Sequence, residues 1–147
     1  MDDLQLLNNW ATPLLAKLSS GERASLARTI ARDLRRSQQQ RIKDQQNPDG
    51  SDFAPRKFQQ QQGRIKRRAM FAKLRTTKYL KQRANANDIT VGFYSRIARI
   101  ARVHQEGLRD RVRKGGPEVT YEQRQLLGFS DADKNMIMDA LLAHLGN

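Results

Sequence analysis

Apolar residues recur along the N-terminal third of the chain at helical spacing. Leu4, Leu7, Ala11, Leu14, Leu15 and Leu18 share one side of a helix, interrupted at Pro13. Thr12 can cap a restart there and Pro13 can take its first helical position. Ser19 stands three residues before Glu22, the spacing of a capping box, and predicts a long helix beyond it. Leu26, Ile30 and Leu34 step by four, with Ala24, Ala27, Ala31 and Ile42 on the same side. Arg28, Arg32, Arg35 and Lys43 take the other side. Asn47-Pro48-Asp49-Gly50 is a strong turn signal that ends this helix.

The pattern then loses its period. Residues 44–63 read as a mobile basic excursion, with Gln59 to Gln62 as a glutamine run before Gly63. Met70, Phe71 and Leu74 give a short apolar face, read as one helical segment. Tyr79 to Ala84 and Ile89 to Tyr94 flank Asn85-Ala86-Asn87-Asp88, and the second run alternates through Ile89, Val91 and Phe93. The pair predicts a β-hairpin with a four-residue loop.

From Arg96 the helical period returns. Ile97, Ile100, Ala101 and His104 fall on one face, and Arg96, Arg99 and Arg102 on the other. Gly107 is the predicted stop. Arg109 to Pro117 reads as a basic loop and Val119 to Glu122 as a third strand. Leu126-Leu127-Gly128-Phe129 leads to Ser130, which caps a last helix with Asp131 and Asp133 in its first turn. That helix is expected to bury Ile137, Met138, Leu141, Leu142 and Leu145. The fold class is therefore α+β: long N-terminal helices, a small antiparallel sheet made of a hairpin plus a third strand, a helix between the strands and a C-terminal helix. The 147 residues fit a single domain over 1–147.

Charge adds a partner to this picture. The formal net charge is +13, which calls for an anionic surface: nucleic acid, acidic protein or membrane. From Phe53 to Asn87 no residue is acidic and eleven are Lys or Arg, densest at Arg64-Ile65-Lys66-Arg67-Arg68. Phosphate contact by Arg64, Lys66, Arg67, Arg68 and the Arg96/Arg99/Arg102 face would make a non-specific DNA-binding protein with salt-sensitive affinity. No helix-turn-helix or zinc-finger pattern is present, and aromatics for base stacking are few. The basic helices have short, alanine-rich apolar faces, which argues against membrane binding. The absence of cysteine removes disulfides and thiol chemistry and fits synthesis in a reducing cytoplasm.

Candidate chemistry is sparse. His104 and His144 are the two histidines, and neither lies in a metal-ligand spacing. His104 sits amid a predicted apolar face, which favours a packed histidine over a catalytic base. His144 near a helix C-terminus suits the helix dipole. No phosphate-binding glycine loop or nucleophile elbow occurs. The expectation is no enzyme, no metal and no cofactor.

Several blocks, taken together in order, carry a resemblance. They are Arg35 to Ile42, Gln46 to Gly50, Ala54 to Lys57, Gly63 to Lys66, Met70 to Arg75, Ala101 to Leu108 and Leu126 to Phe129. In this order and spacing the chain, from about Leu18 onward, resembles the phage virion morphogenesis family, and within it the tail completion proteins of temperate contractile-tailed phages. Gln125 departs from the pattern, where a proline is expected. The resemblance implies a structural, non-enzymatic protein that completes the head-proximal end of the tail and promotes head–tail joining. It implies other tail or neck proteins as partners, a homo-oligomeric ring, and a place in the virion after synthesis in the bacterial host. On that reading the loops at 44–63 and 109–117 order against neighbours. The interaction candidates are Arg64, Lys66, Arg67, Arg68, Arg96, Arg99, Arg102, His104, Gln105, Gly107, Leu126, Leu127 and Phe129, with non-specific DNA contact as an alternative role for the cations.

Overall fold

A computed structural model of the chain describes residues 16–55, 70–111 and 114–145. The elements in order are α1 (Ser20–Lys43), β1 (Leu80–Ala84), β2 (Ile89–Phe93), α2 (Ser95–Glu106), β3 (Arg109–Arg111), β4 (Glu118–Thr120) and α3 (Asp131–Leu145). The class is α+β, as the periodicity predicts. The expected helix break at Pro13 and the cluster Arg64 to Arg68 lie outside the described residues.

Helix α1 begins where the capping box places it. The Glu22 amide donates to Ser19 Oγ at 3.2 Å, and the Ser19 hydroxyl donates to Glu22 Oε1 at 3.0 Å. Such a cap is worth about 1 kcal/mol. One stripe of α1 is buried from end to end: Leu26, Ala27, Ile30, Ala31, Leu34, Gln38, Arg41 and Ile42. From Gln38 the stripe takes in two polar residues, Gln38 and Arg41, beside Ile42, which the apolar pattern does not announce.

The described residues divide into two compact units. The first comprises 16–36, 82–91 and 129–145, and the second 37–55, 70–81, 92–111 and 114–128. In the first, Leu26 and Ile30 of α1 pack with Leu141 of α3, and Leu18, Ile137 and Ala140 close around them. Helix α3 starts on a reciprocal cap: the Asp133 amide donates to Ser130 Oγ, and the Ser130 amide donates to Asp133 Oδ2, both at 3.0 Å. The expected core face of α3 is only partly used. Leu141 is buried and Ile137 half-buried, but Met138 and Leu142 are exposed at 38% and 52%. A four-residue step places Met138 and Leu142 on one line beside the packed arc, so periodicity alone could not separate covered from uncovered positions.

The β1–β2 hairpin forms over the predicted residues. Its loop closes through the Asn85 amide to the Asp88 carbonyl at 2.9 Å, while Asn85 Oδ1 accepts the amides of Asn87 and Asp88. The predicted third strand does not join this sheet. β4 instead pairs antiparallel with β3, in the register Arg109 to Thr120, Asp110 to Val119 and Arg111 to Glu118. Arg109 to Arg111, expected as the start of a basic loop, are thus one strand of a second ribbon. Glu118 draws in both arginines of β3, with Arg109 Nε at 3.0 Å and Arg111 at 3.9 Å.

The second unit has its core at Ile42, Phe53, Ala101 and Leu126, with Met70, Phe71, Leu74 and Phe93 packed against it. Phe53 belongs to the stretch expected to be mobile. Its described part, 44–55, is a folded turn: Gln46 and Asp52 form a β-bridge, and the Phe53 amide donates to the Gln45 carbonyl at 2.7 Å. Residues 56–63 lie outside the described residues. The helical segment expected at Met70 to Leu74 is a series of turns, with Arg75 N–H bonded to the Phe71 carbonyl and Phe71 at φ 66°. A non-glycine residue in that left-handed region cannot continue an α-helix.

Candidate functional site

Helix α2 carries the largest group of predicted site residues. It ends at Gly107, which adopts the left-handed conformation at φ 67° and ψ 49° and donates to the Val103 carbonyl. A Cβ there would lie 3.1 Å from the Gln123 amide nitrogen, so the site requires glycine twice over. The arginine face is exposed as predicted, yet it is largely matched by acids: Arg99 pairs with Asp110 at 3.1 Å and Arg102 with Glu106 at 3.1 Å. On the other side, Ala101 and Val103 are the buried residues, while Ile100 is 46% exposed. The helix is rotated from the expected orientation, with Val103 rather than Ile100 turned inward.

His104 is half-buried between two rings, with Phe71 at 4.9 Å and Tyr121 at 4.8 Å, both edge-on. Its Nδ1 is buried without a hydrogen-bond partner. Burial, and then the nearby Arg124 charge, hold its pKa below the usual histidine value. Among the described residues its contacts are the two aromatic rings and the Arg124 charge, the surroundings of a packing group.

Gln105 holds the chain 22 residues onward. Its Nε2 donates to the Leu127 carbonyl and its Oε1 accepts the Leu127 amide, both at 2.8 Å. The same device recurs around the irregular stretch 121–128. Gln38 Oε1 accepts the Gly128 amide at 3.0 Å, Asn47 Oδ1 accepts the Gln125 amide at 2.9 Å, and Gln45 exchanges two bonds with Met70. Two buried arginines complete the set. Arg41 donates to the carbonyls of Gln46, Gln125 and Leu126 and to Gln38 Oε1, at 2.7 to 2.8 Å. Arg124 donates to the carbonyls of Ala54 and Pro55, and its amide to the His104 carbonyl. Backbone that is neither helix nor sheet must find partners elsewhere when it is buried, and here side chains supply them.

Of the predicted site residues, therefore, Gln105, Gly107 and the fully buried Leu126 belong to the interior of the second unit. Leu127 is half-buried, near Gly92, where a Cβ would sit 3.9 Å from its Cδ1. Phe129 is half-buried in the first unit, and Arg96, Arg99 and Arg102 are on the surface. Arg64, Lys66, Arg67 and Arg68 lie outside the described residues. Sequence reasoning missed Gln38, Arg41 and Arg124, since a glutamine or arginine in a polar run reads as solvated until its acceptors are known. Among the described residues no His, Asp and Glu side chains converge as a metal site, and no helix is long and apolar enough to cross a membrane.

The blocks that carry the family resemblance are in large part the ones that build this interior: Gln38 to Ile42, Asn47, Ala54-Pro55, Met70-Phe71, Ala101 to Gly107 and Leu126 to Gly128. A model of the phage virion morphogenesis family matches residues 2–146, and the chain belongs to that family. Among known proteins it is similar to the tail completion protein S of Escherichia phage P2, with 40% identity over 99% of both chains. No solved structure matches it.

Proposed function

We propose that this protein is a structural, non-catalytic component that completes the head-proximal end of a phage tail and promotes its joining to a filled head. The observation that carries the reading is the 40% identity, end to end, with a tail completion protein. The polar interior supports it: the family's blocks serve in large part to fold the chain. The protein works as a single domain over its whole length, in a homo-oligomeric ring, with other tail or neck proteins as neighbours. It is made in the host cytoplasm and acts in the virion.

The surfaces suited to such neighbours are Ile100 on α2, Met138 and Leu142 on α3, and the edges of the two ribbons, each of two strands among the described residues. Heterologous contacts that close into a ring bury two different patches per subunit. The test is the particle content of lysates from a phage lacking this protein. Filled heads and unattached tails are expected side by side. Normal joined particles in those lysates would overturn the reading. Mass photometry of the purified protein, alone and with tails, tests the ring.

A further inference from the structure

Positive charge is distributed unevenly between two parts of the second unit. Around α2 and the β3–β4 ribbon four cations have acidic partners: Arg99 with Asp110, Arg102 with Glu106, and Arg109 and Arg111 with the single carboxylate of Glu118. Between Phe53 and Asn87 the sequence holds no acid. The described part of that run in the second unit carries Lys73, Arg75, Lys78 and Lys81. The segment that carries them runs through successive turns into β1: Arg75 N–H bonds the Phe71 carbonyl, Thr76 N–H the Lys73 carbonyl, and both Tyr79 and Leu80 N–H the Thr76 carbonyl. Lys73, Lys78 and Lys81 are exposed. Arg75 is half-buried, and its Nε is buried without a hydrogen-bond partner. Among the described residues none of the four makes an ion pair. Lys78 Nζ lies 5.3 Å from the Tyr79 ring centre, a contact that orients the ammonium without neutralising it.

We propose that the Lys73–Lys81 surface is a sequence-independent binding site for the phosphates of duplex DNA. Two kinds of anionic partner compete for such a surface, and the pattern of charge separates them. A protein surface presents both signs, and the complement of that is a mixed surface like the β3–β4 ribbon. Duplex DNA presents one sign only, at one charge per about 1.7 Å of axis, and its complement is a run of cations with no acid among them. Lys73, Lys78 and Lys81 are the exposed members of the run and would make the phosphate contacts, with the half-buried Arg75 adding to the local positive charge. Base readout is not needed: phosphate contact supplies essentially all of non-specific affinity. The inference stands independently of the tail role.

The experiment is fluorescence anisotropy of a short labelled duplex with the full-length protein, across a salt series. Wild type should bind at low salt and lose affinity steeply as salt rises. The triple variant Lys73→Gln/Lys78→Gln/Lys81→Gln should bind at least about tenfold more weakly at low salt, with the slope of log affinity against log salt reduced by roughly three. The paired-face variant Arg99→Gln/Arg102→Gln should stay within about twofold of wild type. Thermal melting verifies that both variants fold; if the triple variant does not, the three single variants each should lose about one unit of slope. No salt-dependent binding by wild type would overturn the proposal. So would wild-type binding by the triple variant, or tighter binding to polyglutamate than to DNA, which would assign the surface to an acidic protein.

Discussion

Both units of this protein have an apolar cluster, but only the second adds a set of buried polar side chains that hold irregular backbone. In the first, regular helices bring Leu26, Ile30 and Leu141 together and little else is needed. In the second, the chain from Tyr121 to Gly128 is irregular, and its amides and carbonyls are held by Gln38, Arg41, Asn47 and Gln105. Both draw on the same stripe of α1, aliphatic up to Leu34 and then carrying Gln38 and Arg41 beside Ile42. An aliphatic cluster accepts other side chains of similar volume, because burial is non-directional. A polar interior does not, because each donor has one geometry that serves it. The second unit should therefore be the more brittle to conservative substitution.

The largest expected effect tests that contrast directly. Arg41→Leu leaves the buried Leu126 carbonyl and the part-buried carbonyls of Gln46 and Gln125 without this donor, and unmade bonds at about 1–3 kcal/mol each make a loss of about 3 kcal/mol or more. Arg41→Lys should cost nearly as much, since an ammonium cannot fork to four acceptors. At Leu141, by contrast, Leu→Met should cost under about 1.5 kcal/mol, against about 3 kcal/mol for Leu→Ala. Urea unfolding with hydrogen exchange as the probe measures both, and protection at 124–128 should vanish first in the Arg41 variants. Equal tolerance of Arg41→Lys and Leu141→Met would break the comparison.

A smaller effect is expected at Gly107. Gly107→Ala forces a side chain into the left-handed region and against the Gln123 backbone, at a cost of about 1–2 kcal/mol read as a lower melting temperature.

The smallest is a pH dependence confined to the second unit. Burial, and then the Arg124 charge, hold the folded pKa of His104 below the usual histidine value of 6.5, so the unfolded chain binds the proton more readily. Stability is then full above about pH 6.5, and falls as pH drops below it until the folded pKa is reached. Melting of wild type between pH 7 and 5 should show this decline, and His104→Phe should flatten it. An unchanged slope in that variant would assign the decline to other groups.

Much of the fold was legible because its signals are local. Ser19 with Glu22, Ser130 with Asp133, the Asn85–Asp88 loop and Gly107 each act within a few residues of themselves, and each appears where the sequence puts it. The β3 strand was illegible because Arg-Asp-Arg has no strand pattern; only its pairing with Glu118 to Thr120 makes it one. The outward position of Ile100, Met138 and Leu142 was illegible for a related reason. Periodicity says which residues line up on a face, and only the three-dimensional packing says where that face ends. The buried arginines are the clearest case, since Arg41 reaches a carbonyl 85 positions away.

That reach has a consequence in time. On the ribosome, Arg41 emerges long before Leu126, by on the order of ten seconds at about 5–20 residues per second. Throughout that interval its guanidinium and the Gln38 amide stand in water, where they are well solvated. Leu26 and Ile30 wait longer still, because their partner Leu141 belongs to the last helix. The growing chain can close its second unit before its first, although it begins the first one earlier.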